Sequence, residues 1–297
     1  KLPAKLWKTL AWKECDFKRR SYRSCVSDAF RTTRKSIWPL AKANWKLFLF
    51  LALMQGVIGV WTEYLTPGVM YVGFEFHPLS LFLLAIVALV TCLTISSKMF
   101  AAINGRGLKW NFTRQLKTLP VSAGFLIVFL LLSIVCIYFC IVKGKNPDSI
   151  PLLNALSVPV ALSPILLIFS LPLTFAFTQY IMEPERKLYR SLWKSYSTGL
   201  RRWGFIFTTI ALGELCVIIF QTFVCLPNYI LTTAHNYSAI GVSSYNDAPD
   251  LPAYFYPLLF VVSTFSGMVK ICVTLFEVYT LYYMYQTICI RQKERKM

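Results

Sequence analysis

Three ionisable side chains stand inside runs that are otherwise apolar. Glu214 lies in FIFTTIALGELCVIIF, and Lys270 and Glu277 lie in SGMVKICVTLFEVY. A charge near the centre of a bilayer costs about 2.5–3.5 kcal/mol on insertion scales, so such residues face protein or water and often mark ion, proton or ligand paths. Their spacing adds to this. Ser263, Ser266, Lys270, Thr274 and Glu277 follow steps of three and four residues. On a helix they fall within an arc of about 80°, a single polar stripe. Leu281, the next position on that face, is apolar and ends the stripe.

Two chemistries fit this pattern. In one, Lys270 pairs with Glu214 or Glu277 and the pair fixes helix register. In the other, two carboxylates at one depth repel, one of them holds a proton, and Lys270 holds an anionic group. The expected binding centre is therefore Glu214, Lys270, Glu277, Thr274, Ser266 and Ser263.

The elements that must position these residues are apolar runs long enough to cross a bilayer, about 20 residues each. Six occur, at Leu47–Leu65, Leu79–Ser97, Pro120–Ile141, Val158–Ile181, Phe205–Leu226 and Leu258–Ile290. The last is long enough to require strong tilt, extension beyond the membrane, or a break near Gly267. Composition agrees. The chain of 297 residues is 56% hydrophobic, 16% aromatic and only 15% charged, against about 25% charged in soluble domains. The expected fold class is an all-α, polytopic membrane helix bundle of six transmembrane helices with interfacial amphipathic elbow helices.

The net charge of +18 is distributed with a direction. Of the 31 Lys and Arg residues, 28 fall in 1–46, 98–117, 186–202 and 291–297. All four segments lie on one side of the six-span arrangement. The opposite side has Lys143 and Lys145, together with Glu63, Glu75, Asp247 and Asp250. This is the positive-inside pattern, and it predicts an inner (cytoplasmic) membrane protein with N and C termini in the cytoplasm. The expected partners are membrane lipids, with anionic headgroups at the cytoplasmic face, and other proteins of an envelope complex. Nucleic acid is not needed to account for the charge. The organisation reads as a basic cytoplasmic or interfacial segment over 1–46, a transmembrane domain over 47–290 and a basic tail over 291–297. No cleavable leader is expected, because a long basic stretch precedes the first apolar run.

The fourth run contains Pro159, Pro164 and Pro172, with Ser163, Ser170 and Thr174 on one face. Broken, polar-lined helices build midplane sites in transporters, and kinked packing helices carry the same signature. The nine cysteines form no CxxC pair and sit mostly in apolar runs, where they act as small hydrophobes.

Three segments on the basic side share a character: Ala29–Trp45 (AFRTTRKSIWPLAKANW), Phe100–Leu119 (FAAINGRGLKWNFTRQLKTL) and Leu192–Trp203 (LWKSYSTGLRRW). Each joins an amphipathic stretch, a basic cluster and an aromatic anchor, as an elbow helix entering a helical hairpin would. With SLWKSYSTGLRRWGFIF ahead of the fifth run, the chain resembles uncharacterised six-span membrane proteins of Bacteroidetes-type bacteria. These in turn are similar to the membrane domain of glycerophosphodiester phosphodiesterases. Proteins of this group sometimes carry a carotene-oxygenase label, whose chemistry needs a histidine cluster to hold iron. This chain has two histidines, His77 and His235, which excludes that activity.

No GxSxG elbow, Walker A loop or HExxH motif is present, so no enzyme activity, cofactor or metal is expected. The remaining polar cluster, Glu75, His77, His235, Asp247 and Asp250, falls in outer loops. NYS at Asn236 and NFT at Asn111 match the glycosylation pattern. The sequence thus points to transport or binding of a small or lipid-like solute at the buried Glu/Lys centre. A non-catalytic scaffold or accessory subunit, docking through its basic face or the loop 228–257, is the alternative.

Overall fold

The computed structural model describes residues 19–65, 78–143, 151–245 and 251–294, and among these the chain is helical, with no strand. In chain order the elements are α1 (Tyr22–Leu65), α2 (Pro78–Asn104), α3 (Leu108–Lys143), α4 (Pro151–Met182), α5 (Leu188–Arg201), α6 (Trp203–Tyr245) and α7 (Phe255–Glu294). Among the described residues, four stretches are long and apolar enough to cross a membrane: Tyr22–Trp61, Leu108–Val135, Trp203–Ser238 and Phe255–Glu294. The described apolar parts of α2 and α4, Leu89–Asn104 and Ile168–Met182, are shorter.

The outer surface is compatible with an integral membrane protein. On α3, Leu126, Ile127, Val128, Leu130, Leu131, Leu132 and Ile134 are each more than half exposed. A continuous apolar face of this kind is not carried by a water-soluble monomer. Burial is concentrated instead at the basic end, where Cys25, Met99, Phe175, Ile206, Met284 and Ile288 are almost fully enclosed.

α1 and α7 form the central antiparallel pair. Their contact is close because small residues line it. A Cβ built on Gly59 would meet Ser263 Cβ at 2.7 Å, and one on Gly267 would meet Gln55 Cβ at 2.7 Å. Gly56 packs against the Phe260 carbonyl and Thr264 in the same way. Small residues that let backbones approach are the usual means of joining helices in lipid, where there is no water to expel. α7 is continuous through Gly267, so of the three alternatives the break does not occur; the glycine serves the seam.

The first elbow and the first span merge into α1, with a kink at Asn44 (φ −126°, ψ 26°) where they were expected to join. Asn44 Nδ2 donates to the Leu40 carbonyl at 3.1 Å, and Pro39 lacks the donor its turn would use. The second expected elbow is instead a tight turn. α2 ends at Asn104, Gly105 takes φ +67°, and α3 starts at Leu108. Asn104 and Asn111 exchange side-chain hydrogen bonds across it, at 2.7 and 3.3 Å. Only the third elbow is a separate helix, α5.

The expected outer loop 228–257 also differs. α6 continues through Pro227 to Tyr245, because NYILTTAHNYS keeps helical spacing although it is polar. His235, expected in a loop, is buried on that helix with its ring stacked on Phe255 at 5.6 Å. Glu75, His77, Asp247 and Asp250 lie outside the described residues. Pro159, Pro164 and Pro172 remain within the single helix α4. Pro172 is buried and receives Gly199 of α5, where a Cβ would meet its backbone at 3.0 Å. Among the described cysteines, Cys25 is buried while Cys92 and Cys216 are exposed on outward faces.

Candidate functional site

Three contacts set the register of α6 against α7. Ser263 Oγ donates to Asn228 Oδ1 at 2.8 Å. A Cβ on Gly213 would sit 3.4 Å from Thr280 Cγ2. The Arg291 guanidinium lies 4.3 Å above the Phe205 ring. The pairing is antiparallel along the whole contact. It brings Glu214, next to Gly213, to the level of Glu277, one turn before Thr280.

The rest of the polar stripe divides. Ser263 and Ser266 are buried, Thr274 and Glu277 are half-buried, and Lys270 is exposed, as is Glu214. Thr274 Oγ1 donates to the Lys270 carbonyl at 3.0 Å. Among the described residues no ion pair joins Lys270 to either glutamate. The glutamates are therefore brought together, and Lys270 is not brought to them.

Their depth follows from α1. Gly267 faces Ala52 and Gln55, and Cys25 Sγ lies 3.6 Å from Thr287 Oγ1. Reading between these anchors at 1.5 Å per residue, Lys270 is within about one turn of the level of Lys46, and Glu277 is level with roughly residues 39–42. On α6, Glu214 is about 16 Å from Trp203. The carboxylates thus sit in the half of the bundle nearer its basic end. Glu214 is exposed beside the exposed Leu215, Ile218 and Ile219, and Glu277 is half-buried.

The basic end is held by arginines. Arg114 on α3 donates from Nη1 to the carbonyls of Tyr180 (2.5 Å) and Glu183 (2.7 Å), and from Nη2 to those of Pro184 (2.6 Å) and Arg186 (2.8 Å). Its guanidinium also lies over the rings of Trp110 and Tyr180, at 4.5 and 4.3 Å. One side chain therefore caps the C-terminus of α4, where orphan carbonyls and the negative dipole end favour a cation.

Glu183 completes this corner. It accepts from Arg186 Nε, from Gln179 Nε2 at 2.9 Å and from the Tyr285 hydroxyl at 2.8 Å. Burial pushes its carboxyl up, but these hydrogen bonds and the Arg186 charge outweigh it and hold it below the usual carboxylate range. On the far side, Arg20 pairs with Asp28 at 2.7 Å and lies over the Tyr283 ring at 4.6 Å. The Tyr283 hydroxyl shares a 2.7 Å hydrogen bond with Thr32.

Among the described residues, two clefts flank this framework. One, of about 640 Å³, is apolar and lies between α1 and α7, lined by Val57, Trp61, Tyr256 and Phe260 among others. The second, of about 1130 Å³, is basic and lies where α3 and α5 begin. Neither is lined by Glu214, Lys270 or Glu277. Among the described residues no group of three His, Cys, Asp or Glu side chains is placed to hold a metal ion. Asn111, in the NFT motif, is fully buried and bonded to Asn104.

Sequence reasoning missed the Arg114 clamp and the Gly56, Gly59 and Gly267 seam. The glycines were visible as QGVIGV and FSGM, but their partners lie about 200 residues away. No protein-family model, curated protein or solved structure matches the chain.

Proposed function

We propose that the chain is a six-span protein of a bacterial cytoplasmic membrane, with α1–α4, α6 and α7 as its spans. Its basic end, including both ends of this chain, faces the cytoplasm. It binds a small or lipid-like solute at the Glu214–Glu277 pair, entered sideways from the bilayer, with Lys270 about 10 Å further out. The observation that carries this reading is the placement of two carboxylates at one level on the outward side of α6 and α7, with no cation against them among the described residues. Like charges in an apolar setting favour a proton or a cationic group between them. A lipid-like solute with a protonated amine meets that requirement, and the exposure of Glu214 among apolar side chains suits a ligand already dissolved in the membrane. The reading is one of binding, in keeping with a sequence that carries no catalytic motif.

The test is binding of a fluorescent long-chain amine to the purified chain in nanodiscs, compared with Glu214→Gln and Glu277→Gln. Saturable binding lost in the variants supports the site. A second reading, a scaffold that seats a partner's transmembrane helix, is favoured by the same exposure of Glu214 beside Leu215, Ile218 and Ile219. It predicts no saturable amine binding and a partner whose facing helix carries Lys or Arg.

A further inference from the structure

We propose that the basic cleft between the first turns of α3 and α5 binds the phosphate-bearing headgroup of an anionic lipid. This rests on the reading that the basic end lies at a membrane surface.

The cleft holds about 1130 Å³, within the order of size of ligand pockets and well beyond a single phosphate. Lys109, Arg114 and Lys117 line it from α3, and Arg186, Lys187 and Arg190 from the α4–α5 connection and α5. One carboxylate, Glu185, lies among these six cations. Arg114 is committed to four carbonyls and Arg186 to Glu183, so these two shape the walls. Lys109, Lys117 and Arg190 are exposed. Among the described residues their side chains make no hydrogen bond or ion pair. Lys109 and Lys117 are two turns apart on α3, about 12 Å. Cations gathered in one concavity repel each other until an anion enters.

The backbone adds to the field. Neither α3 nor α5 has an acidic residue in its first turn, and Lys187 at the N-cap of α5 makes no side-chain cap. First-turn N–H groups without such acceptors, at the positive end of the helix dipole, suit phosphate oxygens.

The surroundings favour a lipid over a soluble phosphoester. Tyr189 and Trp193, four residues apart on amphipathic α5, are 70% and 80% exposed, as aromatic anchors at a headgroup layer are. Leu116 is exposed beside Lys117, and the exposed apolar run of α3 starts at Leu126. A headgroup in the cleft therefore has its acyl chains laid along α3.

The test uses the full chain in mild detergent. Retention of phosphatidylglycerol is measured by native mass spectrometry against phosphatidylcholine, with inorganic phosphate and glycerol 3-phosphate as soluble competitors. The cleft variant K109A/K117A/R190A is compared with R23A/R31A/R34A, which removes as many exposed cations from α1. At about 1 kcal/mol per cation near a membrane surface, the cleft variant loses affinity on the order of 100-fold while the α1 variant stays near wild type. Equal losses in both variants overturn the site in favour of diffuse surface charge. No preference over phosphatidylcholine overturns it outright, and displacement by millimolar soluble phosphate overturns the lipid in favour of a free phosphoester. A reporter fused after residue 297 reads the sidedness separately, so a cleft that binds nothing and a cleft on the other face give different results.

Discussion

Replacing Arg114 tests how the basic end is built. Its guanidinium meets four carbonyls at the end of α4, three of them partly buried. A hydrogen bond from a charged donor contributes about 1.5–3 kcal/mol in favourable settings. These four share one planar group that is partly open to solvent, so about 1 kcal/mol for each of the three inner bonds is a fair scale. Arg114→Ala is expected to cost about 3 kcal/mol, with up to about 1 kcal/mol more for the stacking on Trp110 and Tyr180. At about 0.6 kcal/mol/K of unfolding entropy for a chain of this size, that corresponds to a fall of roughly 5–6 °C in melting temperature. Arg114→Lys keeps the charge but has no planar fork, and should recover less than half of the loss. Arg114→Met keeps the stem between the two rings and should melt like the alanine variant. The assay is thermal exposure of buried thiols to a maleimide dye in detergent, with Cys25 as the enclosed reporter. If Arg114→Met melts with wild type, the clamp contributes nothing and its bonds merely decorate the end of α4.

Two further outcomes follow from packing and charge. Gly267→Leu should separate α1 from α7 and abolish a monodisperse preparation, because even its Cβ would meet Gln55 at 2.7 Å, whereas Gly124→Ala, with nothing within 4 Å, should be silent. For Glu183, the folded-state pKa lies below the ordinary value, so its contribution is present above the unfolded pKa, near 4.3, and is lost as pH falls through the folded value. Melting of wild type should therefore decline more steeply below about pH 4.5 than melting of Glu183→Gln, and parallel curves would remove Glu183 as the cause.

The helical class and the long apolar stretches were legible because hydropathy is a local property. Where α1 bends was also legible, since Asn44 and Trp45 end the amphipathic segment before LFLFLAL begins. The second elbow is a turn because Gly105 and Gly107 interrupt its basic and aromatic residues at the centre. α6 extends past Pro227 because its polar residues keep helical spacing, which polarity alone does not reveal. The level of Glu214 with Glu277 could be reasoned from span counting. The outward aim of Lys270 could not, because a face is defined only once neighbours are known, and α1 takes the Ser263–Gly267 part of that stripe. Arg114 had no legible signal at all: its acceptors are backbone carbonyls 66–72 residues away, which no side-chain pattern encodes.

The measurement closest to the functional proposal is saturation binding of a fluorescent long-chain amine to the chain in phosphatidylcholine nanodiscs. Binding between a charged pair is worth at least a factor of ten for each partner removed. The account predicts a saturable site on wild type, a loss of tenfold or more in Glu214→Gln and in Glu277→Gln, and near-normal binding in Lys270→Met. Unchanged binding in the two glutamine variants, or none in wild type, would contradict it.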